Sequence, residues 1–386
     1  MRKIKNLVIG CGLSGAVIAE QVASRLNEEV LVIDRRNHIG GNVYDDTESG
    51  ITVHRYGPHV FHTNDSRVWR YLSRFTEWHR FMYKVRAYID GHEVPVPFNL
   101  NTLYRLFPPN LAGKLEEALI GHYGYGKRIP ILELQQVQDA NLNFLADYIY
   151  RKVFLGYTAK QWGVRLEELD FSVSARVPVM VSRDDRYFHD RYQGIPADGY
   201  TQLVGNIINH PKIKVELETD YLDIRDGLAA ERIFYSGAID EYFDYCYGQL
   251  PYRSLDIQFR KFDCEYYQST AQVNFPDNYD YTRSVEYKYY LNQKSPQTIV
   301  SFEYPEPFEK GMNERFYPIP NEENDALFSR YQVLADQEKK VFFVGRLGHY
   351  RYYNMDQVVM NALSLVDSIV EKDGGSHEGY EAWRQI

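Results

Sequence analysis

The sequence predicts an α/β fold in three parts: a parallel-sheet unit at the N-terminus, a largely helical insertion, and a mostly antiparallel β-sheet. Glycines at the spacing of a dinucleotide loop follow an apolar run at residues 5–9. Apolar side chains recur at helical spacing further on, as at Leu142, Leu145, Ile149 and Val153. Short β-type runs, such as 212–217 and 298–302, crowd residues 210–305 and suggest antiparallel pairing.

Taken in order, the run at 5–9 reads as a buried strand leading into Gly10-Cys11-Gly12-Leu13-Ser14-Gly15. A helix from 16 to about 27 follows, then a second apolar run at 29–33 that ends in Asp34. A β-α-β unit of this length has parallel strands and a right-handed crossover, the start of a Rossmann-type domain. Gly10 permits the tight turn, Gly12 lets backbone approach a pyrophosphate, and Gly15 lets helix and strand pack closely. The helix N-terminus offers unpaired N–H groups to phosphate, and Asp34 is placed to bind a ribose hydroxyl. A glycine turn without a ligand is the plainer alternative.

Two further features favour FAD over NAD. Gly40-Gly41-Asn42 follows directly from the second strand, as in flavoproteins whose backbone passes beside the cofactor. The run at 340–344 ends in Gly345-Arg346, with a helix expected at 356–371. A helix N-terminus and an arginine there would favour the negative charge of a reduced flavin. Gly121-His122-Tyr123-Gly124-Tyr125-Gly126 has glycines but no strand before it and reads as a loop, so a separate NAD(P)H domain is not expected.

Between these ends, 67–75 is helix-like and 84–98 reads as a hairpin turning at Asp90-Gly91. Helices are expected at 101–120 and 138–156. The division predicted is 1–75 plus 325–372 for the dinucleotide unit, with returns near 195–240, then 76–180 for the mainly helical part and 181–324 for the sheet.

The formal charge of −9 argues against a nucleic-acid partner, although local arginines can still hold one small anion. The 34 tyrosines serve packing, or stack on a base or sugar while their hydroxyls reach phosphate. Three scattered cysteines give neither a disulfide framework nor a metal site. Met1-Arg2-Lys3 runs into an apolar stretch too short to export or span, so no membrane insertion and a cytoplasmic location are expected.

Three segments carry a family resemblance: 59–65 (His59-Val60-Phe61-His62-Thr63-Asn64-Asp65), 156–162 (Gly156-Tyr157-Thr158-Ala159-Lys160-Gln161-Trp162) and 187–196. With 37–42, Tyr281-Thr282-Arg283 and Tyr317-Pro318, in order from about residue 5 to 370, they resemble the bacterial UDP-galactopyranose mutases. The resemblance implies a Rossmann-type FAD-binding domain, a helical substrate-covering domain with a mobile loop, and an antiparallel sheet domain, usually in a homodimer. It implies interconversion of UDP-galactopyranose and UDP-galactofuranose, without net redox change, through a covalent N5 adduct of reduced FAD. An external flavin reductant is implied as well.

Carried over residue by residue, Arg176 and Arg283 match phosphate-binding arginines, and Tyr187, Tyr317 and Tyr352 match tyrosines around the diphosphate. Tyr157 matches a uracil-stacking position, Asn274 one that faces the sugar, and Trp162 a residue of the mobile loop that would close over bound substrate, with a core anchor as the plainer alternative. His62 and Arg346 match positions near the flavin, and Arg253 another arginine close to it. Two positions depart from the pattern: Asn354 stands where relatives usually have aspartate, and Met180 where they commonly have arginine. They leave open a mutase acting on UDP-N-acetylgalactosamine or dTDP-fucose. An FAD-dependent oxidase or dehydrogenase would share the Rossmann start and the Gly-Arg ending. An idle homologue that only binds nucleotide sugar is suggested by Asn354 alone.

Overall fold

The computed structural model describes residues 2–163 and 177–374. Its first layer is a five-stranded parallel sheet in the order Ile213–Glu216, Val30–Ile33, Arg2–Ile9, Leu228–Tyr235, Val341–Phe343. Parallel strands are covered on both faces, and alternation sends their side chains to two cores. Val8, Val30 and Val32 share one core with helices Leu13–Arg25 and Met355–Gly374. Leu7, Leu31 and Ile33 share the other with Tyr331 and Ala335 of helix Glu322–Gln337. The run at 212–217 therefore belongs here, parallel to Val30–Ile33, and not in the antiparallel sheet. β-Propensity marks a strand but leaves its partner open.

The second sheet has seven strands in the order Tyr317–Pro318, Tyr252–Phe262, Thr298–Pro307, Arg283–Glu286, Gln272–Asn274, Val85–Ile89, His92–Val96. All its pairings are antiparallel except Gln272–Asn274 against Val85–Ile89. The hairpin turns at Asp90 (φ 47°) and Gly91 (φ 81°), the two positive φ angles a type I′ turn requires. It completes this sheet, which corrects its sequence-based assignment to the helical part at 76–180. Val85, Ala87, Ile89, Val94 and Val96 are all buried, and a lone hairpin could not cover them.

In the helical part, the expected helix at 101–120 is two, Leu100–Leu106 and Pro109–Tyr123. The prolines at 108 and 109 enforce the break: Pro109 lacks an N–H and restricts the residue before it. Asn99 caps the first helix, accepting from Asn101 N and Thr102 N. Gly121, His122 and Tyr123 form the last turn of the second helix, not a loop, and Gly124 (φ 84°) ends it. From Asp139, which caps helix Ala140–Ile149, the chain continues through a π-helical stretch, Tyr150–Leu155, into helix Gly156–Trp162. Gly163 at φ 70° stops it. Met180 is buried in a short antiparallel pair with Arg128–Ile129 and donates its N–H to Phe98 O, so its side chain serves packing.

Candidate functional site

A groove opens at the C-terminal edge of the parallel sheet, lined by Gly10, Gly12, Asp34, Gly40, Gly41, Asn42 and Arg346 among others. Gly10 takes φ 96°, and a Cβ there would lie 2.1 Å from Ser236 Oγ. At Gly15 a Cβ would stand 2.0 Å from Gly10 O, so only glycine lets the helix seat against the loop. Gly40 N donates to Cys11 O (2.8 Å), which lays the second glycine segment beside the first. A Cβ on Gly41 would be 2.9 Å from Gly12 Cα. Helix Leu13–Arg25 starts here without a side-chain cap, leaving its first N–H groups for an anion.

Asp34, 8% exposed, accepts from Cys11 N (2.7 Å) through Oδ2 and from Arg36 N (2.9 Å) through Oδ1. Each carboxylate oxygen retains a lone pair for a ribose hydroxyl. Asn42 Oδ1 accepts from Arg36 Nη1 (3.0 Å). Arg346 donates to Phe316 O (3.1 Å) and Tyr353 O (2.6 Å), which fixes its guanidinium at the groove. Met355 and Val358, in the first turn of the C-terminal helix, line the same groove. Asn354 stands just before that turn, its N–H donated to Gln357 Oε1 (2.8 Å).

His62 is not among the groove residues. Its ring stacks on Phe188 at 3.6 Å, and its Nδ1 lies 2.9 Å from Asp190 Oδ2. The histidine that lines the groove is His59, three residues earlier and ahead of strand Phe61–Thr63. Burial pushes its imidazole down to about 3, helped by His54 and the positive charges of Arg346 and Arg283. It is neutral at pH 7, and its Nδ1 is buried without a hydrogen-bond partner. Arg253 donates to Gln161 O (3.1 Å) and Lys160 O (3.0 Å), clamping the C-terminus of helix Gly156–Trp162, and its own carbonyl accepts from the N–H of Phe316, which lines the groove. At 6% exposure it is buried in that clamp.

A second cluster lies where this helix meets the antiparallel sheet. Trp162, Tyr317 and Tyr352 form a triangle with ring centres 5.1, 5.2 and 5.3 Å apart. Tyr317 donates its hydroxyl to Gln161 O (3.1 Å). Arg346 stands 5.0 Å from the Tyr352 ring centre, so groove and triangle adjoin. Arg283 donates through Nε to Glu303 Oε2 (2.6 Å), a carboxylate with no exposed surface. Burial lowers Arg283, but the charge of Glu303 outweighs it and holds the guanidinium well above its ordinary value, while burial raises the Glu303 carboxyl against the pull of Arg283. Burial raises the Tyr157 hydroxyl; the charge of Arg283 opposes it, and Tyr187, Glu303 and Tyr352 add to it. Asn274 is the cross-strand partner of Arg283, and its Oδ1 accepts from Gln272 Nε2 (2.8 Å). Tyr187 donates its N–H to Tyr83 O (2.7 Å), with its ring 5.0 Å from Phe188.

The structure therefore gathers Tyr157, Trp162, Tyr187, Asn274, Arg283, Tyr317 and Tyr352, while Arg176 lies outside the described residues. Glu303 was missed from sequence; its signal was an acid at an inward position of the apolar strand Thr298–Pro307. A fixed cation among neutral tyrosine hydroxyls suits a diphosphate, and the adjoining glycine-lined groove suits a dinucleotide. Among the described residues no group of three or more His, Cys, Asp or Glu could hold a metal ion. No described helix is long and apolar enough to cross a membrane.

Comparison with known proteins agrees with this geometry. A family model for UDP-galactopyranose mutase matches residues 152–352, and one for an NAD(P)-binding Rossmann-like domain matches 8–75. A probable UDP-galactopyranose mutase of Klebsiella pneumoniae is 37% identical over 383 residues, 97% of either chain. The dTDP-fucopyranose mutase of Escherichia coli is 33% identical over 380 residues, 96% of this chain and 99% of that one. A solved structure of reduced UDP-galactopyranose mutase shares the fold, with TM-score 0.73 and 15% identity, over 100% of this chain and 97% of the other. A putative protoporphyrinogen oxidase from Exiguobacterium shares it more loosely, at TM-score 0.63 and 12% identity, over 96% of this chain and 100% of that one. On both the family model and these identities, the chain belongs to the UDP-galactopyranose mutase family of flavoprotein isomerases.

Proposed function

We propose that this enzyme interconverts UDP-galactopyranose and UDP-galactofuranose, with reduced FAD as its cofactor. The observation that carries the reading is Arg283, held by the buried Glu303 beside Tyr157 and close to the triangle that adjoins the flavin groove. Gly10, Gly12, Gly40, Gly41, Asn42, Asp34 and Arg346 would hold the FAD, and the groove they line, with the uncapped N-terminus of helix Leu13–Arg25, fits a dinucleotide. Reduced FAD, when bound, supplies N5 as the nucleophile for the anomeric carbon.

The protein's own part is electrostatic and positional. Arg283 stabilises the negative charge that grows on the departing diphosphate, and its bond to Glu303 fixes it before the substrate arrives. Arg176 is assigned the matching role on resemblance. Burial raises the hydroxyls of Tyr157 and Tyr317, so both stay protonated; Tyr157 is a donor to phosphate oxygens, and Tyr317 becomes one on giving up its bond to Gln161 O. Tyr187 and Tyr352 complete that shell, Tyr157 offers its ring to uracil, Asn274 faces the sugar, and Trp162 closes the apolar wall. Arg346 and the start of helix Met355–Gly374 favour an anionic flavin. His59, neutral and with an open Nδ1, takes the place near the flavin expected for His62. The reading includes a homodimer, a cytoplasmic setting and an external reductant.

A second reading, dTDP-fucose as the sugar nucleotide, rests on the Escherichia coli relative and on Asn354 at the start of the C-terminal helix. Turnover of the reduced protein with UDP-galactofuranose, UDP-N-acetylgalactosamine and dTDP-fucose separates them. The highest kcat/KM is expected for the UDP-galactose pair; activity confined to dTDP-fucose would overturn that choice.

A further inference from the structure

Helix Gly156–Trp162 carries Tyr157 and Trp162, and one face of it rests on the 275–281 loop that leads into Thr282 and Arg283. At Gly156 a Cβ would stand 2.4 Å from Pro276 O and 2.9 Å from Asp277 Oδ1, so the backbones are in direct contact. One turn later on the same face, Lys160 reaches into the loop. Its Nζ donates to Phe275 O, to Tyr279 O (3.0 Å) and to Tyr281 O (3.3 Å). Three acceptors meet the three protons of an ammonium, leaving none over. The loop is itself a knot of rings, with Phe275, Tyr279 and Tyr281 centred 4.7, 4.8 and 5.3 Å apart. The carboxylates of Asp277 and Asp280 are near enough to oppose the lowering that burial imposes on Lys160.

We propose that Lys160 is a positioning residue for the sugar-nucleotide site: by binding three carbonyls of the 275–281 loop, it sets the spacing between helix Gly156–Trp162 and Arg283. The proposal rests on the reading above for what is positioned, but the mechanical link stands on the geometry alone. Arg253 clamps the helix end through the carbonyls of Lys160 and Gln161, and Lys160 clamps its flank. Together they tie the helix to strand Tyr252–Phe262 and to the 275–281 loop. Each link uses backbone carbonyls as acceptors, so it is insensitive to the loop's side chains but sensitive to the loss of the donor. Lys160 touches no reacting group in this scheme and acts through Tyr157, Trp162 and Arg283.

The test compares the flavin-loaded wild type with Lys160→Met, which keeps the stem's bulk and removes the donors, and with Lys160→Arg, which keeps the charge. Amide hydrogen exchange needs no substrate: Lys160→Met should lose at least about tenfold protection over 156–163 and 275–283, with the 2–35 region unchanged. Lys160→Arg should retain most of it. In turnover with UDP-galactofuranose, KM should rise about tenfold for Lys160→Met while kcat stays within about threefold and flavin absorbance is unchanged. Unaltered exchange together with KM within twofold of wild type overturns the proposal. Loosened exchange in a series where even the wild type turns over no nucleotide sugar overturns the functional reading and leaves the link in place. If Lys160→Met fails to fold, Lys160→Gln, with two donors in place of three, carries the same comparison.

Discussion

Arg283→Ala removes the charge proposed to face the diphosphate and strands Glu303, which has no exposed surface. Turnover should fall by about 10²–10³, the effect of losing one preorganised donor, while flavin absorbance is retained. Stability should also fall, by about 3–5 kcal/mol, because a buried carboxylate is left unpaired. Steady-state kinetics and urea titration check both; near-normal turnover would refute the assignment. His54, 1% exposed and stacked on Tyr290, gives a pH dependence. Burial pushes it down to about 3, below its unfolded value near 6.5, so the unfolded chain binds the extra proton between those limits. Stability contributed by neutral His54 is complete above pH 6.5 and is lost as pH falls, at about 1 kcal/mol per unit. Unfolding midpoints measured from pH 7 to 4.5 should fall more steeply for wild type than for His54→Phe. At this scale the sequence was readable by type more than by orientation. A histidine near the flavin was expected, but 59–62 offers two, and only the fold shows that His59 lines the groove while His62 packs on Phe188. Arg253, expected close to the flavin, donates to the carbonyls of Gln161 and Lys160, a bond that residue type alone does not reveal.

The glycine loop and its helix were the most legible element, since the motif specifies backbone geometry directly. The same geometry separates two glycines that look alike in sequence. At Gly12 an added Cβ would meet Gly41 Cα at 3.7 Å, an ordinary contact, whereas at Gly15 it would collide with Gly10 O at 2.0 Å. Gly12→Ala should therefore fold with its melting temperature within a few degrees of wild type and lose flavin, because the methyl projects where the pyrophosphate must approach. Gly15→Ala should lose stability as well as flavin. Flavin content and thermal unfolding distinguish the two, and a Gly12→Ala protein that keeps a full complement of flavin would refute the placement. The helical insertion was legible as helix but not in its divisions. Helical periodicity carries across Pro108-Pro109 without marking the break, and it gave no sign that the helix after Asp139 runs through a π-helical stretch to Trp162.

At the scale of the molecule, the sequence showed strands without their partners. Residues 213–216 and 85–96 have ordinary β-patterns; the first joins the parallel sheet, and the second, legible as a hairpin, closes the other sheet by pairing Val85–Ile89 with Gln272–Asn274. Those pairings are long-range, and no local preference encodes them. Their result is functional: the glycine groove and the aromatic cluster, built on different sheets, meet through Arg346 and Tyr352. The central claim is that these two sites work as one, the flavin groove acting on the sugar of a nucleotide held by the cluster. The most direct measurement is chromatography of UDP-galactofuranose incubated with dithionite-reduced protein beside an oxidised control. Conversion to UDP-galactopyranose in the reduced sample alone is the predicted result; equal conversion in both samples, or none with any nucleotide sugar while flavin is bound and reduced, would contradict it.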